Sequence, residues 1–169
     1  MPIIQPASTN PLVDGRQSPN AMMIRRGLER YFVKMSGVIL AELGLASGRR
    51  ADITVLMPKG DYTIVEIKSS IEDFKADQKW PEYREFCDYF YFATHPGVPR
   101  DIFPLDAGLI IADGYGAEII REATAHKLSA PTRKALTLRF ARTAASRHAS
   151  ITAFAIENGL DLPASIDAE

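Results

Sequence analysis

The spacing of apolar positions changes from segment to segment along the chain, and each spacing predicts an element. Ile24, Leu28, Tyr31, Phe32 and Met35 recur at intervals of three and four, the signature of one helical face. Ser18-Pro19 ahead of them has the form of an N-cap followed by proline in the first turn, and Gly37 is the expected stop. Val38-Ile39-Leu40-Ala41 is a short apolar run, read as a first strand leading to Glu42 and Leu43. A turn over residues 44–50 leads to a second strand, 51–57. Pro58-Lys59-Gly60-Asp61 then connects as a hairpin to a third, 62–69. Ser70 with Asp73 three residues on resembles a capping box, so a helix should run through Phe74 and Gln78, with Pro81 forcing a kink or a restart.

The run Asp88-Tyr89-Phe90-Tyr91-Phe92 is too continuously aromatic for a half-exposed strand, which places 87–94 centrally in a sheet. Residues 108–112 read as another buried strand, turned back by Asp113-Gly114-Tyr115-Gly116 into 117–122. Leu136, Phe140 and Ala144 form the stripe of a last helix over 131–148, and the polar end beyond it is expected to fray. The order predicts a mixed α/β domain around one sheet over 18–149, with a proline-rich leader, 1–17, and a C-terminal extension, 150–169.

With 46% hydrophobic and 24% charged residues, the 169-residue chain has a globular composition and can bury one sizeable core. A single cysteine, Cys87, excludes a disulfide framework and a multi-cysteine zinc site. The N-terminus lacks the basic and apolar regions of a secretory signal, and no apolar run approaches the roughly 18 residues of a membrane span. The expectation is a cytoplasmic protein with no membrane partner. The net charge of −1 hides two basic regions. Arg121, Lys127, Arg133, Lys134, Arg139, Arg142 and Arg147 face only Glu122 as an acid in their stretch, and Arg16, Arg25, Arg26, Arg30 and Lys34 face only Glu29. Such clusters suit a polyanion, or else are solvated helix surface.

The sharpest chemical feature lies on the second and third strands. Glu66 and Lys68 project from the same face of a strand, with Ile67 turned to the opposite layer, and a hairpin in register brings Asp52 to the same patch. Buried strands rarely carry charges without partners. Two carboxylates meeting at a strand end make a hard, oxygen-rich site suited to Mg²⁺ or Mn²⁺ with waters and a substrate phosphate. The adjacent ammonium can orient water and offset charge on phosphate. Acid-x-Lys alone is a weak pattern, expected about once by chance in this composition. It occurs three times, and Asp73-x-Lys75 and Asp77-x-Lys79 fall on the predicted helix as surface charge. Only Glu66-x-Lys68 has a strand acid upstream across a hairpin.

Asp52…Glu66-x-Lys68 within helix–strand–strand–strand–helix–strand resembles the PD-(D/E)XK nuclease superfamily. Gly48-Arg49-Arg50-Ala51-Asp52, Val65-Glu66-Ile67-Lys68-Ser69-Ser70 and Asp73-Phe74-Lys75-Ala76-Asp77-Gln78-Lys79-Trp80-Pro81-Glu82-Tyr83 resemble the MmcB-like bacterial DNA repair proteins within it. The resemblance spans about residues 20–148. It implies a restriction-endonuclease-like mixed central sheet flanked by helices, and a role in DNA repair with DNA, and other repair proteins, as partners. It implies that Asp52 and Glu66 bind divalent metal, with the Ile67 backbone carbonyl as a further ligand, and that Lys68 assists phosphodiester hydrolysis. Ala51 departs from the motif's proline. Some superfamily members only bind, so a non-cleaving DNA-binding or scaffolding component of a repair assembly stays open, as does a homodimer.

Several residues carry paired readings. Glu42 interrupts an apolar strand either as an additional acid of the metal site or as a solvent contact at a strand end. Glu29, its rival, is better explained as an ion-pair partner of Arg25 or Arg26. Arg49 and Arg50 either hold a phosphate or neutralise the carboxylates. Ser69 and Ser70 read as helix caps, with Ser69 also placed to touch DNA. Gln78, Lys79, Trp80 and Tyr83 either line a DNA groove or, for the two aromatics, belong to the core. His95 before Pro96 reads as structural, and Cys87 as an apolar filler.

Overall fold

The computed structural model describes residues 18–163, so the expected leader and the last six residues of the expected extension lie outside the described part. Helix α1 (Pro19–Lys34) starts at Ser18, whose side chain accepts from the Ala21 N–H. Six strands follow: β1 (Val38–Gly44), β2 (Arg50–Leu56), β3 (Tyr62–Ile67), β4 (Tyr89–Thr94), β5 (Gly108–Ala112) and β6 (Ala117–Arg121). They form one sheet in the order β1-β2-β3-β4-β5-β6. The first three pair antiparallel, β3, β4 and β5 run parallel, and β6 returns antiparallel across a register irregularity at Leu109/Ile110. This mixed sheet flanked by helices is the expected architecture, consistent with a restriction-endonuclease-like fold.

Helix α1 covers one face, burying Ile24, Leu28 and Phe32 against Ile53, Val65, Ile67 and Ile110. It ends differently from expectation. Ser36 takes the left-handed conformation (φ 57°), and the Gly37 N–H closes the end on the Phe32 carbonyl at 2.9 Å. Gly37 is needed for space instead: a Cβ there would press on Val55 Cγ1 at 2.9 Å and Met57 Sδ at 3.1 Å.

The other face is covered by α2 (Ile71–Ala76), a 3₁₀ segment (Trp80–Phe86) and α3 (Ala130–Glu157). Trp80, Tyr83 and Phe140 join Phe90 and Phe92 in its core. The helix expected to pass through Gln78 stops at Ala76, because the Pro81 ring would collide with the carbonyl four residues back at Asp77. Helix α3 continues nine residues beyond the expected end at His148, through an alanine-rich stretch. It stops at Gly159 (φ 63°), with the Leu160 N–H reaching the Ala155 carbonyl at 2.9 Å. Among the described residues no helix is long and apolar enough to cross a membrane.

Asp88 holds these layers together. Fully buried, it accepts from Tyr62 N–H (2.7 Å), Leu128 N–H (2.9 Å) and both ends of the Arg133 guanidinium (2.7 Å each). One carboxylate thereby joins the start of β3, the start of β4 and the first turn of α3. Burial alone would raise its pKa, yet the Arg133 fork and the two N–H donors outweigh that and hold it down at about 2.

Candidate functional site

The ladder between β2 and β3 runs from Leu56↔Tyr62 to Ile53↔Val65 and goes no further. Beyond it each strand's carboxylate takes the other strand's amide. Asp52 N–H donates to Glu66 Oε1 at 3.1 Å, and Ile67 N–H donates to Asp52 Oδ2 at 2.9 Å. The two acids thus lie side by side where the strands part. On the other side of β3, Lys68 N–H pairs with the Ala93 carbonyl at 2.9 Å. A parallel ladder uses alternate residues, so Ile67 directs its own N–H and C=O toward β2 and the carboxylates.

Of the four expected central residues, Glu66 (3% exposed) and Lys68 (5%) are buried, and Asp52 and Glu42 are half-buried. Lys68 falls one residue past the end of β3, at the carboxyl edge of the parallel strands, where ligands gather in α/β sheets. Glu42, on β1, holds the register position facing Asp52 and is in ion-pair contact with Arg50. All five residues line a cavity of about 500 Å³ together with Ile67.

Burial raises the Glu66 pKa well above the usual carboxylate range, and the neighbouring Asp52 charge adds to the rise. Burial also raises Asp52, opposed by the Ile67 N–H and Lys68, with Glu42 and Asp73 pushing it further up. The site therefore presses two carboxylates together in surroundings that disfavour their charge, an imbalance that a bound cation relieves. Among the described residues no group of three or more His, Cys, Asp and Glu side chains is arranged to hold a metal ion. Two carboxylates and a backbone carbonyl are nonetheless the sparse oxygen set that suits Mg²⁺ or Mn²⁺, which keep waters and take further oxygens from a phosphate substrate.

Two acids of the cavity wall were misread in the sequence. Asp73 and Asp77, taken as surface charge, line the same cavity. Asp73 reaches back to the Ser69 N–H at 2.9 Å instead of closing a capping box, while its own N–H donates to the Ser70 hydroxyl that caps α2. The signal was the half-matched box, Ser70 with an acid three residues on. Ser18, read only as a helix cap, also lines the cavity and meets Ser69 hydroxyl to hydroxyl at 3.2 Å.

The six residues with a DNA-contact expectation divide. Arg50, Ser69 and Tyr83 line the cavity. Tyr83 does so from the core, 4% exposed, with its ring stacked on Phe90 and its hydroxyl donating to the Arg50 carbonyl at 3.1 Å. Burial and the charge of Glu66 raise its pKa. Arg49, Gln78 and Lys79 are not brought to the cavity. Arg49 neutralises Glu82 (2.5 Å) and Asp77 (3.8 Å) and lies over the Tyr83 ring. Gln78 caps α2 by donating to the Phe74 carbonyl at 2.6 Å, and Lys79 is exposed.

The basic stretch from Arg121 to Arg147 is mostly structural. Arg121 donates to the Ala107 and Pro104 carbonyls, Lys127 pairs with Asp61, Arg133 with Asp88, and Arg139 and Arg147 donate to carbonyls of β1. Glu29 pairs with Arg25 at 2.9 Å, as expected. His95 is structural too: Gly97 N–H donates to Nδ1, which leaves Nε2–H to donate to the Ser69 carbonyl at 3.1 Å. Cys87 is buried, and burial pushes its thiol up to about 12.

Comparison with known proteins adds to this geometry. A solved structure of a protein of unknown function from Silicibacter pomeroyi is similar to this chain, with a TM-score of 0.77 and 38% identity over 80% of this chain and 93% of that one. No curated protein matches. A family model described as DNA repair protein MmcB-like matches residues 8–155. Its match runs from the segment preceding α1 almost to the end of α3 and takes in the whole carboxylate cavity. The chain belongs to the MmcB-like family of DNA repair proteins.

Proposed function

We propose that the chain is a divalent-metal-dependent deoxyribonuclease of the PD-(D/E)XK type that works in DNA repair. The observation that carries this reading is the reciprocal clasp of Asp52 and Glu66 at the parting of β2 and β3, with Lys68 beside it in an open cavity. Asp52, Glu66 and the Ile67 carbonyl would hold Mg²⁺ or Mn²⁺. When bound, the metal supplies a Lewis acid for the phosphate and lowers the pKa of a bound water.

The protein's own residues do the rest. Asp52 and Glu66 are fixed by backbone amides, so their oxygens are placed before any ligand arrives. Lys68, held on the β3 backbone by its bond to β4, orients the attacking water and offsets the charge that builds on the phosphate. Arg50, more than half exposed at the cavity mouth, is placed to meet an incoming phosphate on release from Glu42.

The purified protein is tested on single-stranded, nicked, branched and crosslinked DNA with Mg²⁺, Mn²⁺ or EDTA. Cleavage of at least one substrate with metal and none with EDTA is expected. Lys68→Ala should lose cleavage by at least about a hundredfold while fold and DNA binding persist. DNA binding without cleavage under every metal condition overturns the proposal in favour of a non-cleaving member of a repair assembly. Full activity in Lys68→Ala removes the role given to the lysine.

A further inference from the structure

Arg147 was grouped with the basic residues of α3, yet the geometry points to a positioning role for it. We infer that Arg147 sets the conformation of Glu42 and thereby keeps its carboxylate on the wall of the cavity that holds Asp52 and Glu66, an inference that rests on the metal-site reading above.

Glu42 is one of two non-glycine residues with positive φ among the described residues, at 55°, and it lies inside a strand. Such a conformation is uncommon for a residue with a side chain and persists only where its surroundings impose it. The paired residues record the consequence. Ala41↔Ile53 and Leu43↔Ala51 pair normally, whereas Glu42 and Asp52, facing each other between them, do not. Side chains change layers at this point. Leu40 and Leu43, three apart, share the core under α3, and Ala51 joins them there although Ile53 and Val55 pack under α1. In a regular strand, residues three apart lie on opposite faces and residues two apart on the same one. The hairpin is therefore kinked at the level of its two acids.

Arg147 is the group that clamps this kink. Its guanidinium donates to the Ala41 carbonyl and, at 2.7 Å, to the Glu42 carbonyl. Consecutive carbonyls of a regular strand point to opposite sides, out of reach of one planar fork. The left-handed turn at Glu42 brings both to the outer edge of β1, where Arg147 takes them together. Arg139, two helical turns earlier on α3, donates to the Gly44 carbonyl at 3.4 Å and fixes the same edge. The chain of effects runs from α3 through the β1 backbone to a carboxylate on the cavity wall.

The experiment compares wild type with Arg147→Ala, Arg147→Lys, Glu42→Gln and Glu42→Gln/Arg147→Ala, all as full-length protein. The readouts are crystal structures and calorimetric titration with Mn²⁺ alone. In Arg147→Ala, Glu42 should return to an extended backbone, and Mn²⁺ affinity should fall about tenfold, the scale seen when a group supporting a metal ligand is removed. Lysine, a single point donor, should restore little of it. The double variant should bind Mn²⁺ no worse than Glu42→Gln, because both changes remove the same contribution. The inference is overturned if Glu42 keeps its positive φ in Arg147→Ala. It is also overturned if the metal affinities of the two single variants multiply in the double. A wild type that binds no Mn²⁺ overturns the metal reading of the site, and the backbone of Glu42 in Arg147→Ala then decides the role of Arg147 by itself.

Discussion

At the residue scale the site is a concentration of opposed preferences. Glu66 is 3% exposed, with a pKa raised first by burial and then by Asp52, so its charge is destabilising in the folded protein at neutral pH. Glu66→Gln keeps the Oε1 acceptor for the Asp52 N–H and removes the charge. It should raise the thermal midpoint by about 2–4 °C, the shift produced by about 1 kcal/mol in a chain of this size, while abolishing metal-dependent cleavage. A lowered midpoint, read by circular dichroism, contradicts that electrostatic description. Asp52, Glu66 and Lys68 were legible in the sequence because charges inside runs of Ile, Val and Thr need a reason to be there. Asp73 and Asp77 were not, since what makes them wall residues is the early end of α2 and its lie across the strand ends. Asp88 was absorbed into an aromatic strand by the reading, although an aspartate beside five apolar neighbours asks for a partner as firmly as Asp52 does.

Among the elements, the strands were the most readable and the helix ends the least. Alternation and continuous apolar runs located five of the described strands to within two residues and the start of the first, which was read as 38–41 and runs on to Gly44, because sheet burial writes a period directly into the side chains. The kink at Glu42 was visible only as Leu40 and Leu43 lying three apart, a spacing that fits a strand solely if one residue turns left-handed. The end of α3 was missed because the buried stripe of Leu136 and Phe140 lapses and returns only at Ala155, with alanines among the residues that carry the helix across the gap. The attachment of α3 gives a prediction at this scale. Arg133→Ala leaves the buried Asp88 charge without its main partner and should cost about 3–5 kcal/mol in denaturant unfolding. The pH dependence follows from the sign of the shift. Asp88 has a folded pKa lowered to about 2, below its unfolded value, so its contribution is complete above about pH 4 and is lost as pH falls toward 2. In Asp88→Asn that acid-side loss should shrink relative to wild type, and an unchanged acid limb would show that Asp88 is not the group responsible.

For the molecule as a whole, one sheet separates two cores, and its parting strands open a cavity rich in acids at the carboxyl edge. Fold class was legible because the order of elements constrains the topology, whereas the use of the basic residues was not. Arg121, Lys127, Arg133, Arg139 and Arg147 are spent on carbonyls and carboxylates of the protein itself, and nothing in a charge count separates such arginines from phosphate ligands. The acid-rich cavity predicts instead a response to cations. Mn²⁺ at a hundred times its dissociation constant should stabilise wild type by about 2.7 kcal/mol, and Asp52→Asn/Glu66→Gln should show no such gain in thermal melting. The most direct test of the central claim is anomalous diffraction from crystals of the wild-type protein soaked in Mn²⁺. The account predicts a peak bounded by the Asp52 and Glu66 carboxylates and the Ile67 carbonyl, absent from Asp52→Asn crystals soaked alike. A wild-type crystal with no peak there, or with manganese bound only elsewhere, would contradict it.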